Sequence, residues 1–160
     1  MDNCVLFANK DGESPTLLGM ANTDAPKKKG TLSWCLLLNF LLEDETGMPT
    51  PDEHAALTDF QDKLEARVSA VTDIVWAAHL SSEGQRDAFF YVADPEPVAA
   101  LMSQIVDSET RHPFRYELVH DPDWARVNGI FSQVLRPEPA EPSTGLFLPW
   151  FLERLRAWFR

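Results

Sequence analysis

Four groups of residues carry side chains whose types and spacing could do chemistry. His120-Asp121-Pro122-Asp123-Trp124 sets two carboxylates beside an imidazole. That combination suits a metal ligand set or an acid–base pair. The same residues also read as a helix start: Asp121 as the cap, Pro122 in the first turn, and Trp124 as an anchor in the core. We take this second reading. Gly84-Gln85-Arg86 places a guanidinium at a hairpin tip, where it would meet an anion or a cross-strand carboxylate. The blander account, a turn glycine with an ion pair, is preferred. His54, His79, His112 and His120 show no ligand spacing, and His54 is expected to be exposed in the first turn of a helix. Cys35 lies mid-strand in an apolar run, where burial raises a thiol pKa and blunts the nucleophile.

No glycine-rich phosphate loop, Gly-x-Ser-x-Gly elbow or zinc signature occurs. The expectation is therefore a non-catalytic chain with no metal and no cofactor. The alternative is a small-ligand binder or enzyme with a cleft near Arg86, His120 and Asp123.

Charge narrows the partners. The 160 residues hold 14 Lys plus Arg against 25 Asp plus Glu, a net charge of −11. A body of that sign repels phosphate backbones, so direct nucleic-acid binding is not expected. A protein partner with a basic surface, or self-association, is. Two cysteines are too few for a disulfide scaffold at this length. The N-terminus starts acidic with no long apolar segment behind it, so no secretory signal is read. The longest strongly apolar stretch, 32–42, falls far short of a membrane span. The expected location is the cytoplasm.

These residues need elements to position them. Residues 4–8 and 17–21 read as a hairpin around Asp11-Gly12. Residues 32–42 are apolar on both faces of a strand: Leu32, Trp34, Leu36, Leu38, Phe40 and Leu42 on one, Cys35, Leu37 and Leu41 with Asn39 on the other. Thr50-Pro51-Asp52-Glu53 is a capping box with proline at the first helical position, opening a helix over 51–69. Residues 71–80 alternate, with Thr72, Ile74, Trp76, Ala78 and Leu80 on the more apolar face and His79 opposite. That mixture predicts an edge strand. Residues 88–93 are apolar on both faces. Asp94-Pro95 starts a helix to about Asp107, residues 114–120 form a half-exposed edge strand, and Trp124, Val127, Ile130, Phe131 and Val134 mark a third, shorter helix.

From residue 32 onward the order is strand, helix, strand, strand, helix, strand. This is the ferredoxin-like βαββαβ order of an α+β fold, preceded by the N-terminal hairpin. The two strands apolar on both faces would be central, with two helices on one side. The opposite side must also be covered, because a few hundred Å2 of wet apolar surface would cost several kcal/mol at ~25 cal/mol per Å2. The candidates for the cover are the 4–21 hairpin, a C-terminal helix, or a second subunit. Residues 1–137 make the domain and 138–145 a proline-rich linker. Residues 146–160 make an extra amphipathic helix whose Trp150, Phe151, Leu155, Trp158 and Phe159 would dock on protein in preference to a membrane. With Arg86 and Trp124 they are the candidate interaction residues.

Three pieces of sequence carry a family resemblance. They are 47–53 (Gly-Met-Pro-Thr-Pro-Asp-Glu), Gly84-Gln85-Arg86 ahead of Phe89-Phe90-Tyr91, and Asp121-Pro122-Asp123-Trp124 with Leu135-Arg136-Pro137. Together they resemble the bacterial domain of unknown function 695 over roughly residues 4–137. The chain is similar, more distantly, to the ribonuclease E inhibitor B family of acidic regulators of RNA degradation. The resemblance implies a ferredoxin-like fold and no established chemistry. It implies a regulatory, protein-binding role with a link to RNA turnover.

Overall fold

The computed structural model describes residues 3–11, 14–108 and 111–135. The strands are β1 (Cys4–Asp11), β2 (Ser14–Asn22), β3 (Trp34–Leu41), β4 (Ile74–Ser82), β5 (Gln85–Val92) and β6 (Phe114–His120). The helices are α1 (Pro51–Ser69), α2 (Pro95–Ser108) and α3 (Ala125–Val134). All six strands join one antiparallel sheet in the order β1-β2-β4-β5-β3-β6. The fold is α+β.

The two strands that are apolar on both faces, β3 and β5, lie side by side in the interior, and β6 closes one border. β4 departs from expectation. It is not an edge, because β2 pairs with its free side, Met20 opposite His79 and Leu18 opposite Ser81. The N-terminal hairpin thus widens the sheet and makes β1 the second border.

Leu36, Leu38 and Phe40 of β3 and Ala88, Phe90 and Val92 of β5 meet Leu57, Leu64 and Val68 of α1 and Val98, Met102 and Ile105 of α2. On the opposite face Cys35, Leu37, Phe89 and Tyr91 pack against Trp124, Val127, Ile130 and Phe131, with Leu17 and Ala21 of β2 beside them. The second face is therefore covered by α3, helped by the hairpin. An amphipathic helix that short cannot persist alone in water; its apolar stripe and the sheet stabilise each other. The linker 138–145 and the helix proposed at 146–160, with Trp150, Phe151, Leu155, Trp158 and Phe159, lie outside the described residues.

The alternation read for residues 71–80 breaks at a β-bulge. Trp76 faces Phe90 across the ladder, yet Ala78 faces Phe89, so Ala77 is the extra residue. A bulge re-aims every side chain beyond it. Ile74 and Trp76 face α1, as the pattern requires, but past the bulge His79 and Ser81 face α1 while Ala77, Ala78 and Leu80 join the α3 side. The placement of Trp76 and Leu80 on one face is corrected accordingly.

Candidate functional site beneath helix α1

α1 starts as its sequence dictates. The Thr50 hydroxyl accepts from the Glu53 backbone N–H at 3.2 Å, and Pro51 opens the first turn. Glu53 does not return to Thr50 to finish the capping box. Its Oε1 instead accepts from the Glu43 backbone N–H at 2.8 Å, tying the 42–50 loop to the helix start. The same loop docks on the β4–β5 turn: the Gly84 N–H donates to the Gly47 carbonyl and the Leu42 N–H to the Gly84 carbonyl, both at 2.8 Å. Gly47 and Gly84 have φ near +78° and +79°, a region that costs glycine little and other residues more. A Cβ on Gly47 would stand 3.0 Å from the Gly84 nitrogen.

This corner carries carboxylates and an exposed leucine. Glu43, Glu45, Asp52 and Glu83 are exposed around it, and Leu41, at the end of β3, is 66% exposed. Beneath lies Arg86, wholly buried on the α1 side of β5. Its Nε donates to Ser81 Oγ at 3.0 Å and its Nη2 to His54 Nδ1 at 2.5 Å. Burial lowers the guanidinium pKa to about 10 against the pull of Glu53, so it stays cationic at neutral pH. Arg86 therefore does not sit at the hairpin tip, and among the described residues it forms no ion pair within 4.0 Å. His54 is half-buried instead of exposed, and burial, then the nearby Arg86 charge, lowers its pKa.

His79 continues the cluster. Its ring stands 5.8 Å from His54 and 5.5 Å from Trp76. Burial, with Arg86 and His54 adding repulsion, depresses its pKa to about 3, so the imidazole is neutral. Polar atoms here lack partners: Glu53 Oε2, Gln61 Nε2, Trp76 Nε1, His79 Nδ1 and Arg86 Nη1 are all buried without a hydrogen bond. A buried unpaired group costs about 1–3 kcal/mol.

Beside the cluster a cavity of about 430 Å3 opens between α1 and the hairpin. Its cause is geometric. Two packed helices, about 8–10 Å apart, shield roughly four strands spaced 4.8 Å, and the hairpin makes this sheet six strands wide. Phe90, Trp76 and His79 come from the sheet, Thr58, Gln61, Asp62 and Glu65 from α1, and Met20, Asn22, Cys4, Asn3 and Asp24 from the hairpin side. Sequence reading passed over this site. Regular alternation in β4 hides it, since that pattern turns His79 away from α1; only the twin alanines Ala77-Ala78 hint at an irregular strand.

The residues singled out from sequence lie elsewhere. Asp121 accepts from the Ala125 and Arg126 backbone N–H groups at 2.9 and 3.1 Å and from the Tyr91 hydroxyl at 2.7 Å. It caps α3 from outside the helix, whose first residue is Ala125, so Pro122 is not in its first turn. Trp124 adopts a left-handed backbone, φ 54°, and is buried: its Nε1 donates to the Leu32 carbonyl at 2.7 Å and its ring stacks on Tyr91 at 3.9 Å. It is an interior anchor, not a surface contact. His120 packs on Trp34 at 4.9 Å. The alternative reading's grouping of Arg86 with His120 and Asp123 does not form, because Arg86 pairs with Phe40 and His120 with Trp34. Six residues of strand separate them, about 20 Å. Cys35 is buried and its thiol is pushed up to about 12 by burial. Cys35 and Cys4 are both free. Among the described residues no three His, Cys, Asp or Glu side chains converge as metal ligands. Nor is any helix among them long and apolar enough to cross a membrane.

The chain matches no curated protein and no solved structure. Residues 18–128 match the Family of unknown function (DUF695). That stretch runs from β2 into α3 and takes in α1, the β4 bulge and Arg86, more than half of the chain, and the protein belongs to this family.

Proposed function

We propose that this chain is a cytoplasmic, non-catalytic regulatory module of ferredoxin-like fold that binds a protein partner through a basic surface on that partner. The run β4-β5-β3-β6, with α1 and α2 on one face, supports the fold name. One observation carries the binding role: the corner where the exposed carboxylates Glu43, Glu45, Asp52 and Glu83 fall on the loop after β3, the start of α1 and the β4–β5 turn, with the exposed Leu41 at the end of β3. An apolar side chain beside charges of one sign is the composition of a small recognition patch. The charges speed encounter and select the partner, and the leucine adds burial. The corner is also held in shape, through Glu53 to Glu43 and Gly47 to Gly84. The non-catalytic reading draws on Asp121 and Cys35. The first is committed to three donors, and the second keeps its proton.

The distant resemblance read from the sequence to the ribonuclease E inhibitor B family directs the first assay to RNA-degrading enzymes. Pull-down at low and high salt, with the wild type and with Glu43→Lys plus Glu45→Lys, tests the proposal. The expected result is salt-sensitive capture that the double reversal weakens about tenfold or more. Capture indifferent to both salt and charge reversal overturns it.

A further inference from the structure

We propose that the cavity between α1 and the N-terminal hairpin binds a planar, uncharged heteroaromatic molecule bearing a carbonyl or ring-nitrogen acceptor, the chemistry shared by nucleobases and nicotinamide. Three observations lead there. The first is the space: about 430 Å3, within the range of small-molecule sites. The second is polar nitrogens without partners. Gln61 is 4% and His79 3% exposed, both line the cavity, and Gln61 Nε2 and His79 Nδ1 have no partner. Trp76, also in the lining, holds an unpaired N–H at Nε1. Gln61 and Trp76 offer donors, and the neutral His79 ring donates or accepts at Nδ1 according to its tautomer. Buried polar groups are nearly always satisfied in folded proteins, so three around one cavity mark places where another molecule supplies the partners. The third is the wall chemistry. The Trp76 indole, Phe90 ring and Met20 thioether give flat, polarisable surfaces suited to an aromatic ring.

Charge sets the remaining limit. Asp24, Asp62 and Glu65 border the same space. Asp24 is turned toward Lys27 and Asn3. Glu65 Oε1 accepts from the Trp76 backbone N–H at 3.2 Å. A phosphate or carboxylate on the ligand would face these groups, whereas an exocyclic amine would find acceptors. The bulge at Ala77 is what makes the site. Were Ala77 paired in regular alternation, His79 would point to the α3 side and Ala78 would share this face with Trp76.

This site is separate from the acidic corner, and either proposal can fail without the other. The test uses the full chain with adenosine, guanosine, cytidine, uridine and nicotinamide, and with adenosine monophosphate and nicotinic acid as charged counterparts. Thermal shift and tryptophan fluorescence are the readouts. At least one uncharged compound should raise Tm and quench fluorescence in the wild type but not in Trp76→Phe. Response to the nucleosides or to nicotinamide distinguishes the two sources. Gln61→Leu removes an unpaired buried donor, so it should fold with Tm unchanged or raised, yet bind about tenfold more weakly. Silence from every uncharged compound, equal affinity in Gln61→Leu, or tighter binding of the anionic counterparts overturns the proposal.

Discussion

The two faces of the sheet handle buried polar groups in opposite ways. On the α3 face Tyr91 donates to Asp121 and stacks on Trp124, whose Nε1 ends on the Leu32 carbonyl, and Arg126 grips Glu117 through both terminal guanidinium nitrogens at 3.0 and 3.2 Å. On the α1 face Gln61, Trp76, His79, Arg86 and Glu53 each keep a buried atom without a partner. Satisfied groups fix a conformation; unsatisfied ones hold free energy that a ligand can release. The chemically suggestive motif in the sequence, Asp-Pro-Asp-Trp, belongs to the first class, and residues scattered over α1, β4 and β5 make up the second.

The largest expected effect is insertion of one alanine between His79 and Leu80. It turns either His79 or Leu80 and Ser81 onto the wrong face. Loss of cooperative thermal unfolding is expected, whereas deletion of Ala77 keeps the Trp76–Phe90 and Ala78–Phe89 pairings and should leave a cooperative transition; the reverse outcome breaks the assignment of the bulge. Next, Trp124→Ala on the satisfied face removes a stacked, hydrogen-bonded ring and should cost about 3–5 kcal/mol in urea unfolding. Asp121→Ala leaves two helix donors and the Tyr91 hydroxyl without their acceptor and should cost roughly 2–4 kcal/mol. On the opposite face Gln61→Leu should change stability by less than about 1 kcal/mol, or raise it. Equal losses from Asp121→Ala and Gln61→Leu would erase the contrast between the faces.

Titration sharpens the same comparison through one group on each face, a histidine and a carboxyl that burial shifts in opposite directions. His79 falls from 6.5 to about 3 on folding. The folded state then binds fewer protons than the unfolded one, so stability is full above pH 6.5 and drains away as pH falls toward 3. The slope approaches roughly 1 kcal/mol per pH unit. A unit-for-unit loss of that slope in His79→Leu is expected from urea unfolding between pH 6.5 and 4.5. Asp87 lies on the α3 side, where Asn39 Nδ2 donates to it at 2.7 Å, and burial raises its carboxyl from 3.8 to about 6. There the folded state binds the extra proton, so its contribution is full below pH 3.8 and disappears as pH rises through 6. Asp87→Asn should gain up to about 2 kcal/mol over the wild type at pH 8 and little at pH 4. A wild-type-like profile in either variant removes that group as the cause.

Much of the architecture was legible residue by residue. Apolar runs on both faces placed β3 and β5 inside the sheet, and the Thr50-Pro51 start fixed the first turn of α1. β4 was misread for two reasons that pattern cannot supply. Its outer partner, β2, sits more than fifty residues earlier, and an edge differs from an interior strand only in who pairs with it. Its bulge adds a residue without changing the types around it. The candidate site depended on both. Arg86 was noticed but set at a hairpin tip with a cross-strand ion pair, and Gln61 and Trp76 gave no signal as site residues, because an unpaired donor exists only once its neighbours are placed.

The chain's own order of residues thus determined which segments become strands and helices, since periodicity and capping act over a few neighbours. It also set the acidic balance of the surface, which is a sum over side chains. Tertiary structure alone decided which face His79 and Ser81 occupy, that α3 closes the second side, and that a two-helix layer leaves space beside a six-stranded sheet. Those outcomes follow from pairing and packing between segments far apart in the chain, where local preference has no reach.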